Sequence, residues 1–174
     1  MAPSIFIFGT SHPLQCGTDK YSEDAVNNYR SYIREICSTE GINIIVEEMS
    51  REGLTHYEAE STIASSVAEE LQIEHLCVDL ESQEREKLKV SDGDLAIIAI
   101  NLSRTGSAGA IRDDLTHRLS SPIRERYWIA SILSKNVWPV LFICGSDHVV
   151  SVASIIGGII ERVVIHEYDY DPHN

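Results

Sequence analysis

Basic side chains are scarce in this chain: 14 Lys and Arg stand against 27 Asp and Glu, for a formal net charge of −13. A phosphate backbone or an anionic membrane surface calls for clustered Lys and Arg, so neither nucleic acid nor membrane is an expected partner. Aromatic residues make up only 7% of the chain. No apolar stretch approaches the ~18 residues needed to cross a bilayer. The opening Met-Ala-Pro-Ser-Ile-Phe-Ile-Phe-Gly lacks a basic region and holds a short apolar run, which suits a strand better than a signal peptide. Cys16, Cys37, Cys77 and Cys144 show no close-pair spacing, so reduced, structural thiols in a cytoplasmic protein are expected. Also missing are a P-loop, a dinucleotide fingerprint and a Gly-x-Ser-x-Gly elbow. Ser146 therefore has no support as a nucleophile, and Cys144, closing an apolar strand, reads as a buried inert thiol.

What is present is 43% hydrophobic and 24% charged over 174 residues, the profile of one ordinary globular domain. Apolar runs predict strands over residues 4–8, 42–47, 74–80, 95–100, 139–144 and 163–166. Helical periodicity predicts a helix from Ser22 to a Gly41 terminator and one from a Thr55–Glu58 capping box to about Gln72. Further helices are expected over 113–119, from Ser121-Pro122 to about Lys135, and over 148–160. Strands that alternate with helices and are apolar throughout imply a single α/β domain over 1–168. It would hold a mostly parallel sheet of five to six strands with helices on both faces, and residues 169–174 would form a polar tail.

Two stretches echo each other. Residues 6–12 and 142–148 both read Phe-Ile-x-Gly-(Thr/Ser)-x-His, and each closes a predicted strand. The bare Gly-x-x-His spacing is cheap, since Gly53–His56 repeats it after no strand. The matched context carries the signal. In a parallel sheet ligands bind at the carboxyl edge, where His12, Glu47, Glu48, Asp79 and His148 would gather. Two imidazoles and a carboxylate can hold a divalent metal with one position left for water, and a second carboxylate can then serve as general base. Glu47 and Glu48 are adjacent, and strand alternation turns only one of them to any given site. Each residue also has a plainer reading: the histidines and Asp79 as caps, one glutamate as a solvated neighbour. Arg104 and Arg112 lie in a glycine-bearing stretch that reads as a substrate-clamping lid or as a solvated loop. Arg124 and Arg126 reach the same edge, or else pair with surface acids such as Glu125. His56, His75, His117, His166 and His173 have no evident partner.

Gly9-Thr-Ser-His12 and Gly145-Ser-Asp-His148 resemble the paired Gly-x-x-His motifs of TraB/PrgY and Tiki proteins, which belong with erythromycin-esterase-like and ChaN-like proteins in one α/β superfamily. Ile45-Val-Glu-Glu-Met-Ser-Arg51 is similar to that family's strand ending in glutamate with an arginine shortly after. Residues 64–79 resemble its helix and Asp-terminated strand, and Arg124-Glu-Arg126 resembles the arginine-bearing helix before the last motif. The chain is shorter than the pattern, and it doubles the glutamate. The resemblance implies metal-dependent hydrolysis, with His12 and His148 linked to the metal and Glu47 or Glu48 as the carboxylate.

Three functional expectations follow. The first is a hydrolase of a small molecule or peptide, using one divalent ion (Mn, Co or Zn) held by His12, His148 and Glu47. Its spare carboxylate would move the proton, and Asp79, Arg104, Arg112, Arg124 and Arg126 would contact substrate. The second is a non-catalytic module binding an anionic metabolite or nucleotide through Arg104, Arg112 and helix N-termini. The third is a homo-oligomer assembled through Trp128, Trp138 and the apolar helix after His148.

Overall fold

The computed structural model describes residues 2–88 and 108–172, with the backbone alone for 108–121. Strand β1 (Ser4–Thr10) leads through a one-turn helix α1 (His12–Gln15) to α2 (Glu23–Glu40) and β2 (Ile44–Glu47). Then come α3 (Arg51–His56), α4 (Ile63–Leu71), β3 (Glu74–Cys77) and α5 (Ser82–Lys87). The long α6 (Ala108–Lys135) precedes β4 (Val140–Gly145), a 3-10 turn (Ser146–His148), α7 (Val149–Gly157) and β5 (Arg162–Glu167). The five strands among the described residues are all parallel in the order β3-β2-β4-β1-β5, so the α/β parallel architecture expected from the alternation holds. The strand expected over 95–100, the start of the following loop and Arg104 lie outside the described residues. Arg112 falls on α6, where only the backbone is described.

Alternation along each strand builds two cores. One face carries Ile5, Ile7, Ile44, Val46, Phe142 and Cys144 against Trp128, Ile129 and Ile132 of α6 and Val152 and Ile156 of α7. The other carries Phe6, Phe8, Ile45, Leu141 and Ile143 against Tyr29, Ile33 and Ile36 of α2 and Val67 and Ala68 of α4. Every residue of β1 and β2 is buried, as strands covered on both faces require. Among the described residues no helix is long and apolar enough to cross a membrane.

Several boundaries differ from the sequence reading, each for a local reason. Thr55 opens no helix: it lies within α3, its hydroxyl donates back to the Arg51 carbonyl at 3.0 Å, and Glu58 at φ 53° breaks the chain direction. The helix begins at Ile63 instead, capped by Thr62, whose Oγ1 accepts from the Ser65 N–H at 3.0 Å. Ser121-Pro122 starts no helix either, because α6 runs continuously through Pro122 and absorbs the short helix expected over 113–119. The helix tolerates one missing N–H there. The charged stretch after Leu80 forms α5. The polar tail is anchored: Tyr170 stacks on Tyr32 with ring centroids 5.2 Å apart and lies 5.3 Å from Phe8. Trp128 is fully buried in the first core, so it is not available to an oligomer surface.

Candidate functional site

The ends of β1, β2, β3 and β4 converge on one carboxyl edge, and their first residues beyond the sheet meet there. His12 is the first residue of α1, and His148 closes the 3-10 turn after β4. Neither imidazole caps a helix. Between them stands Glu48. Its Oε1 lies 3.7 Å from His12 Nε2 and 3.5 Å from His148 Nε2, so the two histidines of the sequence echo share a single carboxylate oxygen.

Glu48 is buried and firmly held. Its Oε2 accepts from the Gly145 N–H at 2.8 Å, and Oε1 accepts from Arg124 Nη2 at 2.7 Å. Arg124 also grips Asp79 with Nε at 3.0 Å and Nη2 at 2.9 Å, a fork-to-carboxylate geometry that fixes both partners. Asp79 takes two more donors, Arg85 Nη2 at 2.8 Å and Trp128 Nε1 at 3.1 Å. Burial opposes the Asp79 charge, but Arg124 and then Arg85 outweigh it and hold the carboxyl below its usual range. The guanidinium of Arg124 lies 5.0 Å from the centre of the Trp128 ring, whose edge in turn meets His148 with centroids 5.0 Å apart.

Behind His148 is Glu125, buried, with Oε1 2.8 Å from Nδ1 and Oε2 accepting from Ser151. Burial disfavours an imidazolium at His148, yet the Glu125 hydrogen bond and the Glu48 charge prevail and raise its pKa above the ordinary histidine value. The order of contacts is therefore Glu125, His148, Glu48, then His12 at the wall of an open cleft. That cleft of about 390 Å³ is lined by His12, Glu48, Asp79, Arg85 and Arg124, together with Met49, His56 and Tyr57. His12 Nδ1 is buried without a hydrogen-bond partner, so no structural bond accounts for this ring's position.

Glu47 is turned the other way. It follows Ile45 onto the α2/α4 face, where Oε2 accepts from Thr62 and lies 2.7 Å from His75 Nε2. The expected ligand set of His12, His148 and Glu47 is thus not assembled: alternation sends Glu48 to the histidines and Glu47 through the sheet. Arg126 also stays away, exposed, with its guanidinium donating to the Pro122 carbonyl at 3.1 Å.

Do His12, Glu48 and His148 suit a divalent ion? Among the described residues, the donors within 4.8 Å of one another are Glu47, His75 and Cys77, not these three. Charge argues the same way. Glu48, Asp79 and Glu125 already face Arg124, Arg85 and a His148 biased toward its charged form. A dication on Glu48 would meet Arg124 at close range, at about 4 kcal/mol per pair of unit charges at 4 Å and an effective dielectric of 20. The cleft as built does not fit a metal.

Sequence reasoning passed over four participants. Glu125 and Trp128 flank His148, and the i, i+4 spacing of Arg124 and Trp128 on one helix face was the available sign. His56, dismissed with the third Gly-x-x-His, lines the cleft, and His75 pairs with Glu47. Cys144 is fully buried and its thiol is pushed well up by burial and then by Glu48, as an inert core cysteine should be. All four cysteines are free thiols. Compared with protein-family models, curated proteins and solved structures, the chain matches none.

Proposed function

We propose that this protein is a hydrolase whose own acid–base groups activate water at the carboxyl edge of the sheet. The observation that carries the reading is His12: its Nε2 stands 3.7 Å from Glu48 Oε1 at the cleft wall, and its Nδ1 has no hydrogen-bond partner. That gap exceeds a direct hydrogen bond, so Nε2 is left for water or substrate. A water held between the two groups would give its proton to His12, and the imidazolium formed is stabilised by the adjacent carboxylate. The hydroxide attacks a carbonyl carbon, and as the tetrahedral intermediate collapses the C–O or C–N bond breaks and the His12 imidazolium returns its proton to the leaving alcohol or amine. Arg124, Gly145 N–H and His148 hold Glu48 in place, while Glu125 keeps His148 oriented. The resemblance to paired Gly-x-x-His proteins supports hydrolysis as the reaction class, whereas the charge balance around Glu48 supports a mechanism without a metal in the cleft.

The substrate best suited is a small uncharged ester or amide. A cleft of about 390 Å³ admits a small molecule or a peptide end. Its described arginines, Arg85 and Arg124, already spend charge on Asp79 and Glu48, which disfavours the anion-binding alternative. The test is turnover of a panel of activated esters and dipeptide amides. His12→Ala should lower kcat by roughly 10²–10⁴-fold while leaving the circular dichroism spectrum unchanged. Absence of turnover across the panel sinks the reading. So does activity that survives His12→Ala or that appears only on adding Mn, Co or Zn.

A further inference from the structure

On the opposite face of β2 a second group of reactive side chains sits apart from the cleft. Register produces it directly. Ile45 pairs with His75 and Glu47 with Cys77, so alternation puts Glu47, His75 and Cys77 on one face at the shared carboxyl end of β2 and β3. Their donor atoms all lie within 4.8 Å of one another.

We propose that Glu47, His75 and Cys77 form a binding site for a zinc-class divalent cation, separate from the hydrolytic cleft. A carboxylate oxygen, an imidazole nitrogen and a thiolate sulfur are the donor types zinc takes at about 2.0–2.2, 2.0–2.1 and 2.3 Å respectively. The set has an unfilled valence. Glu47 is fully buried, and while Oε2 is occupied by His75 and Thr62, Oε1 is sealed from solvent with no hydrogen-bond partner. A buried carboxylate oxygen left bare costs stability unless something positive meets it.

The local charge also differs from that of the cleft. No arginine or lysine contacts Glu47 among its described hydrogen bonds and ion pairs, so a cation meets no resident competitor. Among the described residues β3 lies at the edge of the sheet, the His75 side chain is 19% exposed and Cys77 is only partly buried, so an ion can approach. Binding exchanges a proton for the ion: the Cys77 S–H bond breaks as the metal–sulfur bond forms and its proton leaves to solvent, while His75 Nε2 offers its lone pair to the ion with the ring N–H on Nδ1. The three protein donors leave a fourth position for water. Thr62 remains as the outer partner of the carboxylate, orienting it as such partners do.

Cobalt(II) is the probe, added to the metal-stripped, reduced full chain. One equivalent per chain should produce thiolate-to-cobalt charge-transfer absorption, and one equivalent of zinc should displace it. Cys77→Ser should abolish that absorption. His75→Ala should weaken cobalt binding at least tenfold, and His12→Ala should leave both readings unchanged. Circular dichroism of the apo variants checks the fold, and the near-isosteric Cys77→Ser keeps the test decisive if His75→Ala fails to fold. Absence of the band in the parent chain overturns the proposal. So does a band that survives Cys77→Ser, or one that disappears with His12→Ala.

Discussion

A Cβ placed on Gly9 would stand 2.0 Å from the Tyr168 carbonyl oxygen and 2.6 Å from Val149 Cγ2. Gly9 keeps an ordinary strand conformation; it is needed because the chain after β5 passes over it, with Tyr170 N–H donating to the Gly9 carbonyl at 2.8 Å. Gly145 occupies the matching place in the second Phe-Ile-x-Gly stretch under a different constraint. Its φ of −58° suits any residue, and a Cβ there meets Glu48 Oε2 at 3.4 Å and His148 Cδ2 at 3.6 Å, which is tight but ordinary contact. Gly9→Ala should therefore destabilise by about 3 kcal/mol, as overpacking against backbone does. Gly145→Ala should stay within about 1 kcal/mol and keep its N–H on Glu48. Urea midpoints of the two variants give the comparison. If Gly145→Ala is the worse of the two, the strand-end geometry described above is incorrect. At this scale the echo was legible in the sequence, but its glycines are not equivalent, since the difference is made by a segment more than 150 residues further along.

At the scale of elements, Thr62 joins two jobs that sequence reading kept apart. It caps α4, and its hydroxyl donates to the buried Glu47 carboxylate. Losing a cap costs about 1 kcal/mol and a hydrogen bond to a charged group roughly 1.5–3 kcal/mol. Thr62→Ala should accordingly lower stability by about 3 kcal/mol, whereas Thr62→Ser, which retains the oxygen, should cost less than half of that. Equal losses in thermal or urea unfolding would mean that the methyl packing, not the hydroxyl, matters. The sequence placed the end of this helix, at about Gln72, but chose Thr55 as its start instead of Thr62, because capping-box spacing is local and cheap. Helix α6 teaches the same point: Ser121-Pro122 reads as a start, yet burial of Trp128, Ile129 and Ile132 against the sheet carries the helix across it.

The whole molecule carries a net charge of −13, and at the cleft Glu48, Asp79 and Glu125 are compensated locally by Arg124, Arg85 and His148. The Glu125–His148 pair makes the consequence measurable. Burial opposes the Glu125 charge, but hydrogen bonds from His148 and Ser151 prevail and keep its pKa below the usual glutamate value, while that of His148 is raised. A depressed carboxylate stabilises above its unfolded pKa of about 4.3, and that stability is lost as pH falls through the folded value. A raised histidine stabilises below its unfolded pKa of about 6.5, and that stability is lost as pH rises through the folded value. The pair therefore contributes most between these two limits. Glu125→Gln should cost about 2 kcal/mol near pH 5.5, and the loss should shrink as pH rises through the raised folded pKa of His148. A cost that stays the same as pH rises would show that the imidazolium is not what Glu125 holds.

The sequence by itself determined the layers. Apolar runs of strand length separated by amphipathic stretches can satisfy their backbone and bury both faces only as a parallel sheet between helices, and glycine-to-histidine exits placed His12 and His148 at one edge. Tertiary structure decided the site. Neighbouring Glu47 and Glu48 are chemically identical in the sequence, and only the strand's pleat and its covering helices separate them. Glu48 goes to Arg124 and the two histidines; Glu47 goes to Thr62, His75 and Cys77. That division turns one expected metal site into a charge-balanced cleft on one face and a candidate cation site on the other. The strand order that brings β2 between β3 and β4 is a property of the folded sheet, set by long-range pairing that no local pattern encodes.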